Sequence, residues 1–449
     1  MILIHAHEVF RCCFISSSPL RNDADRAALL AGLSRDPETE RDTQRIVFDL
    51  LADVKARGFE AVQEATRRFD RVELDPAALR VPREAMDAAL VRLESERPAL
   101  VSALRELIGG VRRFAKAQRA ALQEVSLPLA QGGTVGERWV PLQAVGVYVP
   151  GGRAFYPSTF AMTVIPAQEA GVKRIVAVTP PRPEGVDPLI LATAALLGVE
   201  ELLTLGGAQA VAWLAFGEAV DLIAGPGNRF VAEAKRQLVG TVGIDSVAGP
   251  TELLILADAA ADPAWLAEDL LAQAEHDPDA AAVLLSEDEG LLRAVASELQ
   301  ARAEASPRRE ILKDSLSRFA RLVRADREQA IAFAQAWAPE HLQLCRTDAE
   351  AWVPELTTAG ALFVGGASAE AFGDYGLGPN HMLPTLRTAR FSSPLGVATC
   401  LKRQSVLRLS AADAAAAAPW VAELAQAEGL PHHGASAALR AHHPKPAGA

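Results

Sequence analysis

Residues 144–152 read Ala144-Val-Gly-Val-Tyr-Val-Pro-Gly-Gly152, an apolar run closed by a proline and two glycines. A run this short, bounded by turn residues and free of polar alternation, predicts a strand buried on both faces, as in a parallel sheet. Similar runs follow at Arg174–Thr179, Glu201–Leu205, Val220–Ala224 and Glu252–Ala257. Helical patterns fill the gaps, at Pro157–Ala170, Pro188–Leu197, Ala208–Ala215 and Arg229–Leu238. Such alternation predicts parallel strands joined by crossover helices. Three strand ends carry glycine turns: Val149-Pro-Gly-Gly152, Leu205-Gly-Gly-Ala-Gln209 and Gly225-Pro-Gly-Asn228. Turns of this kind open helix N-termini, where free N–H groups and the helix dipole favour phosphate. None completes a G-x-G-x-x-G fingerprint. Three at the carboxyl ends of one sheet still favour a nucleotide or anion cleft.

Outward from this block the texture differs. Upstream, Ile46, Leu50, Leu51 and Val54 recur at helical spacing, and further helices are predicted over 59–69, 83–93 and 98–118. Downstream a second α/β block is predicted, with helices at 264–274, 290–305 and 327–336 and strands at 280–286, 341–345 and 361–365. An alanine-rich helix at 411–427 and a short tail close the chain. The class is α/β, with the α-rich first third and the second block forming one domain that the middle sheet interrupts.

The 449 residues are half hydrophobic and 22% charged, enough for a full core. A net charge of -11 argues against nucleic acid or an anionic membrane as the main partner. No apolar run reaches the roughly 18 residues of a membrane-spanning helix, and charged and histidine residues interrupt any signal-peptide core near the N-terminus. The cysteines are Cys12, Cys13, Cys345 and Cys400; without a C-x-x-C pair they predict thiols in a reducing cytoplasm.

Chemistry concentrates in four places. Gln273 and His276 close a predicted helix three residues apart, so both project from one face; they read either as a helix end with a dipole-favoured histidine or as two metal ligands. Glu340 and His341 sit together at a strand start, where an acid and an imidazole can share one cleft and exchange protons near neutral pH; a capping Glu and a surface His is the other reading. Gly373-Asp-Tyr-Gly-Leu-Gly-Pro-Asn-His-Met-Leu-Pro-Thr385 carries Asp374 and His381 on a run too rich in glycine and proline for a helix or central strand. Such a loop is either a plain turn or a site aimed by a rigid scaffold. Last, Glu428 precedes His432 and His433 in the tail. Asp374, His276 and a further histidine would suit catalytic zinc.

Eight segments then converge in order: GVYVPGG (146–152), GGAQA (206–210), GPGNRFVAEAKRQ (225–237), AGPTELLILAD (248–258), LLAQAEHDPDA (270–280), APEHLQL (338–344), GDYGLGPNHMLPT (373–385) and EGLPHHGASAALR (428–440). From about Asp42 to Arg440 the chain resembles the L-histidinol dehydrogenase family. The resemblance implies a zinc enzyme that oxidises L-histidinol to L-histidine through L-histidinaldehyde with two NAD, the last step of histidine biosynthesis. It implies Gln273, His276, Asp374 and His433 as zinc ligands, one ion per subunit. The resemblance implies that His433 comes from the partner subunit of a homodimer; the spacing from Glu428 selects it, with the adjoining His432 the alternative. Glu340 and His341 match the acid–base pair. Thr251, His381 and Glu428 match substrate contacts, as do Gln273, His276, His341, Asp374 and His433; Thr251 stands where a serine is familiar and keeps the hydroxyl. Tyr148, Gln209 and Asn228 match NAD contacts.

The implied architecture is two similar Rossmann-like α/β/α domains, one interrupted by the other, with small N- and C-terminal helical or tail segments. Residues 1–40 form an arm, 41–143 with 252–388 the interrupted domain, 144–251 the NAD-binding domain, and 389–449 a segment whose tail crosses to the partner. A zinc hydrolase would share the histidine and carboxylate inventory but leaves the three glycine turns unexplained. A non-catalytic nucleotide binder would have no need of the acid–base pair.

Overall fold

The computed structural model describes residues 19–33, 37–151 and 156–442, so Cys12, Cys13, Gly152 and the end of the tail lie outside the described residues. Helix α1 spans Asp23–Ala31, α2 Pro37–Arg57, α3 Phe59–Phe69, α4 Arg83–Glu96 and α5 Pro98–Ala121. Strands β1 (Val125–Pro128) and β2 (Thr134–Pro141) follow. The middle block runs β3 (Ala144–Tyr148), α6 (Pro157–Ala170), β4 (Arg174–Thr179), α7 (Pro188–Leu197), β5 (Glu201–Thr204), α8 (Gly207–Phe216), β6 (Leu222–Ala224), α9 (Arg229–Leu238) and β7 (Gly243–Ile244). The next block runs β8 (Glu252–Ala257), α10 (Pro263–Ala274), β9 (Ala281–Ser286), α11 (Glu289–Ala305), α12 (Arg309–Phe319), β10 (Ala320–Arg324), α13 (Arg327–Trp337), β11 (His341–Cys345), β12 (Ala361–Val364) and the one-turn helix α14 (Glu370–Asp374). Strand β13 (Leu401–Arg408) and helices α15 (Ala411–Ala427) and α16 (Pro431–His442) end the described chain.

Two five-stranded parallel sheets result, ordered β5-β4-β3-β6-β7 and β10-β9-β8-β11-β12. Counted from its own first strand, each runs third, second, first, fourth, fifth, so the two α/β units share one topology. Strands β3, β8, β9 and β11 are buried along their whole length, because helices cover both faces. Asp187, Asn228, Asp262 and Asp326 cap the helices that follow them by accepting from free N–H groups of the first turn.

The apolar clusters assign helices α2–α5 to the first sheet. Val47, Leu51, Val54 and Val62 pack with Val176, Leu203 and Val211, and Met86, Leu107 and Val111 pack with Val145 and Phe160. The periodicity of these helices marks an apolar face without naming the sheet it covers. Leu20 and Leu33 join the core of the second sheet.

Other differences are local. β1, β2 and β13 form an antiparallel sheet that pairs Leu401–Arg408 with Thr134–Pro141. Its residues are mostly exposed, so no continuous apolar run announces it. The short tail expected after residue 427 is helix α16, folded back on α15 across Gly429 (φ 72°). The run beginning at Gly373 starts inside α14 and becomes irregular only after Asp374.

Candidate active site

Helix α10 buries Leu266, Ala267, Leu270 and Leu271, which brings its C-terminus to the amino ends of the second sheet. There Gln273 is fully buried, whereas the His276 side chain is 40% exposed. Helix α13 stops at Ala338, held at φ 50°, and Pro339 delivers Glu340 to the start of β11. That strand is central, paired through His341 with Leu253 and Ala361, so the backbone at Glu340 and His341 is fixed on both sides. Glu340 Oε2 lies 2.5 Å from the Thr251 hydroxyl, accepts from the Glu252 N–H at 3.1 Å, and stands 3.6 Å from His341 Nδ1. Burial pushes the Glu340 carboxyl up to about 8, overriding those hydrogen bonds, which pull it down. His341 Nδ1 also lies 3.2 Å from the Glu252 carbonyl oxygen.

Glu370 and Asp374 open and close α14, four residues apart on one face. Asp374 Oδ2 is 3.9 Å from His276 Nε2. One ligand atom each from His276, Glu370 and Asp374 falls within 4.8 Å of the other two. Imidazole nitrogen and carboxylate oxygen are donors that suit zinc, and the Gln273 amide adjoins them through Glu370. Lost solvation holds His276 below the ordinary imidazole value, with Asp374 pulling the other way. Glu370 had no place among the expected residues; its one signal in the sequence is its position four residues before Asp374.

His381 stands outside that donor group. Its Nδ1 lies 3.1 Å from the Asp374 carbonyl oxygen, and its Nε2 lies 3.1 Å from Thr159 Oγ1 in the first turn of α6. The irregular run is pinned to the first unit at two points. Asn380 donates to the Met162 carbonyl at 2.6 Å, and a Cβ on Gly110 of α5 would fall 1.8 Å from the Gly376 oxygen. The residues around His341 thus sit where the amino end of the second sheet meets α6 of the first.

Tyr148, Gln209 and Asn228 gather separately at the carboxyl end of the first sheet. Tyr148 ends β3 and Asn228 follows β6, the adjacent strands where the strand order reverses and α/β ligands bind. The Tyr148 hydroxyl accepts from the Gly207 N–H at 3.0 Å, and Asn228 caps α9. Lys235 and Asp245 form a buried ion pair that holds both backbone groups of Gly225, Lys235 donating to its carbonyl at 2.9 Å and Asp245 accepting from its N–H at 2.8 Å. Gly225 needs φ 116°, and a Cβ there would meet the Tyr148 oxygen at 2.2 Å. Close backbone and two helix N-termini fit a phosphate-bearing cofactor.

Gln209 donates to Asp70 Oδ2 at 2.8 Å, and burial pushes that carboxyl up to about 6 despite the bond. The folded chain therefore binds this proton more tightly than the unfolded chain does. Asp70's contribution to stability is full below 3.8 and is lost as pH rises through about 6. Asp70→Asn removes the loss, so its melting temperature relative to wild type should climb across that window. A difference that stays constant with pH would contradict this.

Glu428 and His433 are not brought to the cleft by their own chain. Both are exposed on the α15–α16 hairpin, near exposed Trp420, Leu424 and Leu430.

Twin parallel sheets and a buried carboxylate–imidazole pair beside a His/Glu/Asp donor group define an α/β enzyme. The family model for histidinol dehydrogenase matches residues 33–441. The chain is 44% identical over 423 residues to histidinol dehydrogenase of Cereibacter sphaeroides, covering 93% of this chain and 96% of that one. It is 46% identical over 402 residues to the Aromatoleum aromaticum enzyme, covering 88% and 91%. The crystal structure of histidinol dehydrogenase from Elizabethkingia anophelis superposes with a TM-score of 0.87 at 32% identity, covering 97% of this chain and 99% of that one. The chain belongs to the histidinol dehydrogenase family and is an oxidoreductase of histidine biosynthesis. Among the described residues no helix is long and apolar enough to cross a membrane.

Proposed function

We propose that the chain oxidises L-histidinol to L-histidine through L-histidinaldehyde, with zinc bound and two NAD reduced, as a cytoplasmic homodimer. The observation that carries this reading is the buried Glu340–His341 pair set beside the His276 and Asp374 donors, one helix away from the glycine-turn cleft. Gln273, His276 and Asp374 would hold the zinc, with His433 supplied by the partner's hairpin. When bound, zinc supplies a Lewis acid that anchors the substrate and lowers the pKa of its reacting oxygen.

His341 takes the proton of the alcohol as hydride leaves for the nicotinamide, giving the aldehyde and the first NADH. Glu340, deprotonated, takes a proton from water as that water adds to the aldehyde carbon. His341, its first proton passed to solvent, then takes the remaining hydroxyl proton of the hydrate anion as a second hydride leaves, giving the carboxylate and the second NADH. His381 and Thr251, with Glu428 of the opposite hairpin, orient the substrate. Tyr148, Gln209 and Asn228 line the cofactor cleft. The buried site suits a reactive aldehyde, because it withholds the intermediate from solvent until the second step.

Purified chain supplied with zinc, NAD and L-histidinol should form two NADH per histidine. His276→Ala and Asp374→Ala should lower zinc content and activity together. Absence of NADH from a folded, zinc-loaded dimer would sink the proposal. So would full activity in either variant.

A further inference from the structure

We propose that Glu370 is a positioning residue shared by the metal site and the acid–base pair, its carboxylate orienting both the Gln273 amide and the His341 imidazole. The inference rests on the zinc reading above. Glu370 is 3% exposed on α14, one turn before Asp374, and Oε1 stands 3.7 Å from His341 Nδ1. With its oxygen toward the Glu252 N–H at 2.9 Å, the Gln273 amide presents its NH2 group to the Glu370 oxygens at 2.6 and 3.0 Å. The opposite orientation would set an amide oxygen against a carboxylate.

An amide offers a cation only its oxygen. A carboxylate that captures the NH2 end therefore decides which end remains available as a ligand. The same Oε1 that takes the Gln273 amide at 2.6 Å also faces the His341 nitrogen that the Glu252 carbonyl and Glu340 approach. Burial pushes the Glu370 carboxyl up to about 8, so what it gives His341 is an oxygen that fixes the ring orientation. Glu370 thus couples the α10 terminus that supplies Gln273 to the β11 start that supplies His341. It lies in the donor group with His276 and Asp374, yet the Gln273 amide occupies both of its oxygens.

The test pairs two variants and reads zinc affinity, by competition with a chromophoric chelator, separately from kcat and KM. Glu370→Ala removes the acceptor and should weaken zinc binding by about 10–100-fold. Glu370→Gln keeps an oxygen for the Gln273 amide, so its zinc affinity should stay within about threefold of wild type. With an amide in place of the carboxyl beside His341, the glutamine variant should orient the ring less well and lower kcat by about tenfold with little change in KM for histidinol. Circular dichroism establishes that each variant is folded. If Glu370→Ala does not fold, the split between zinc affinity and kcat in Glu370→Gln decides the matter. Equal loss of zinc in both variants would make Glu370 a ligand and overturn the positioning role. Wild-type zinc affinity and kcat in both would overturn it as well. A wild-type chain that takes up no zinc would instead refute the zinc reading beneath it.

Discussion

Glutamine at position 340 should leave zinc content and fold unchanged while slowing the aldehyde step by roughly 10²–10⁴-fold, the usual contribution of a positioned general base. The substitution is nearly isosteric. Its amide oxygen can still accept from Thr251 and the Glu252 N–H, the groups that hold the carboxylate now. What disappears is the ability to take a proton from water. With the alcohol step assigned by the proposal to His341, the variant fed histidinol should make its first NADH and then stall, so the yield falls from two NADH per substrate toward one. Burial pushes Glu340 up to about 8, so its active, deprotonated form grows as pH rises through that value. The wild-type aldehyde rate should climb over the same range, and the Glu340→Gln rate should stay flat. Stability follows the opposite course in wild type: the contribution of a raised carboxyl is present below 4.5 and is lost as pH passes about 8. A glutamine variant that oxidises added aldehyde at the wild-type rate would remove Glu340 from the mechanism.

The same pair illustrates how much of the site is legible in the sequence. Glu340 and His341 stand side by side after Pro339 at the start of an apolar run, and a strand start buried on both sides follows from those residues. The parallel sheets were equally open to reading, since runs such as Arg174–Thr179 have too few polar positions to face water. Legibility failed wherever the deciding contact was distant in sequence. Nothing in Ile46–Val54 says which sheet its apolar face will cover. Strand β10, Ala-Arg-Leu-Val-Arg, is broken by two arginines and gives neither a clean alternation nor a continuous run. Strand β13 pairs with a partner some 260 residues earlier through mostly exposed positions. Glu370 was hidden for a local reason, because the glycines after it masked the single helical turn that aligns it with Asp374. Thr159 was hidden by distance: its tie to His381 joins α6 to a loop more than 200 residues away.

Two inactive variants should restore one another. His433→Ala leaves its own His341 intact, and His341→Ala leaves its own His433 intact, so a mixed dimer rebuilds one complete site from the two good halves. The other site in that dimer carries both lesions and stays dead. With random re-pairing about half of the dimers are mixed and half of their sites work, which sets the expected recovery at about one quarter of wild-type activity, against almost none for either parent. The exposure of Glu428 and His433 on the α15–α16 hairpin motivates the design. A chain that completed its own site would have to bring that hairpin to its own His276 and Asp374. Exposed Trp420, Leu424, Leu430 and Leu439 on the same hairpin instead offer an apolar surface of the kind a partner subunit covers. The control is a single chain carrying both substitutions mixed with His341→Ala. That pairing leaves no dimer with an intact site, so it should recover nothing. If verified mixed dimers of the two single variants are as inactive as their parents, each subunit builds its site alone and the crossing hairpin is refuted.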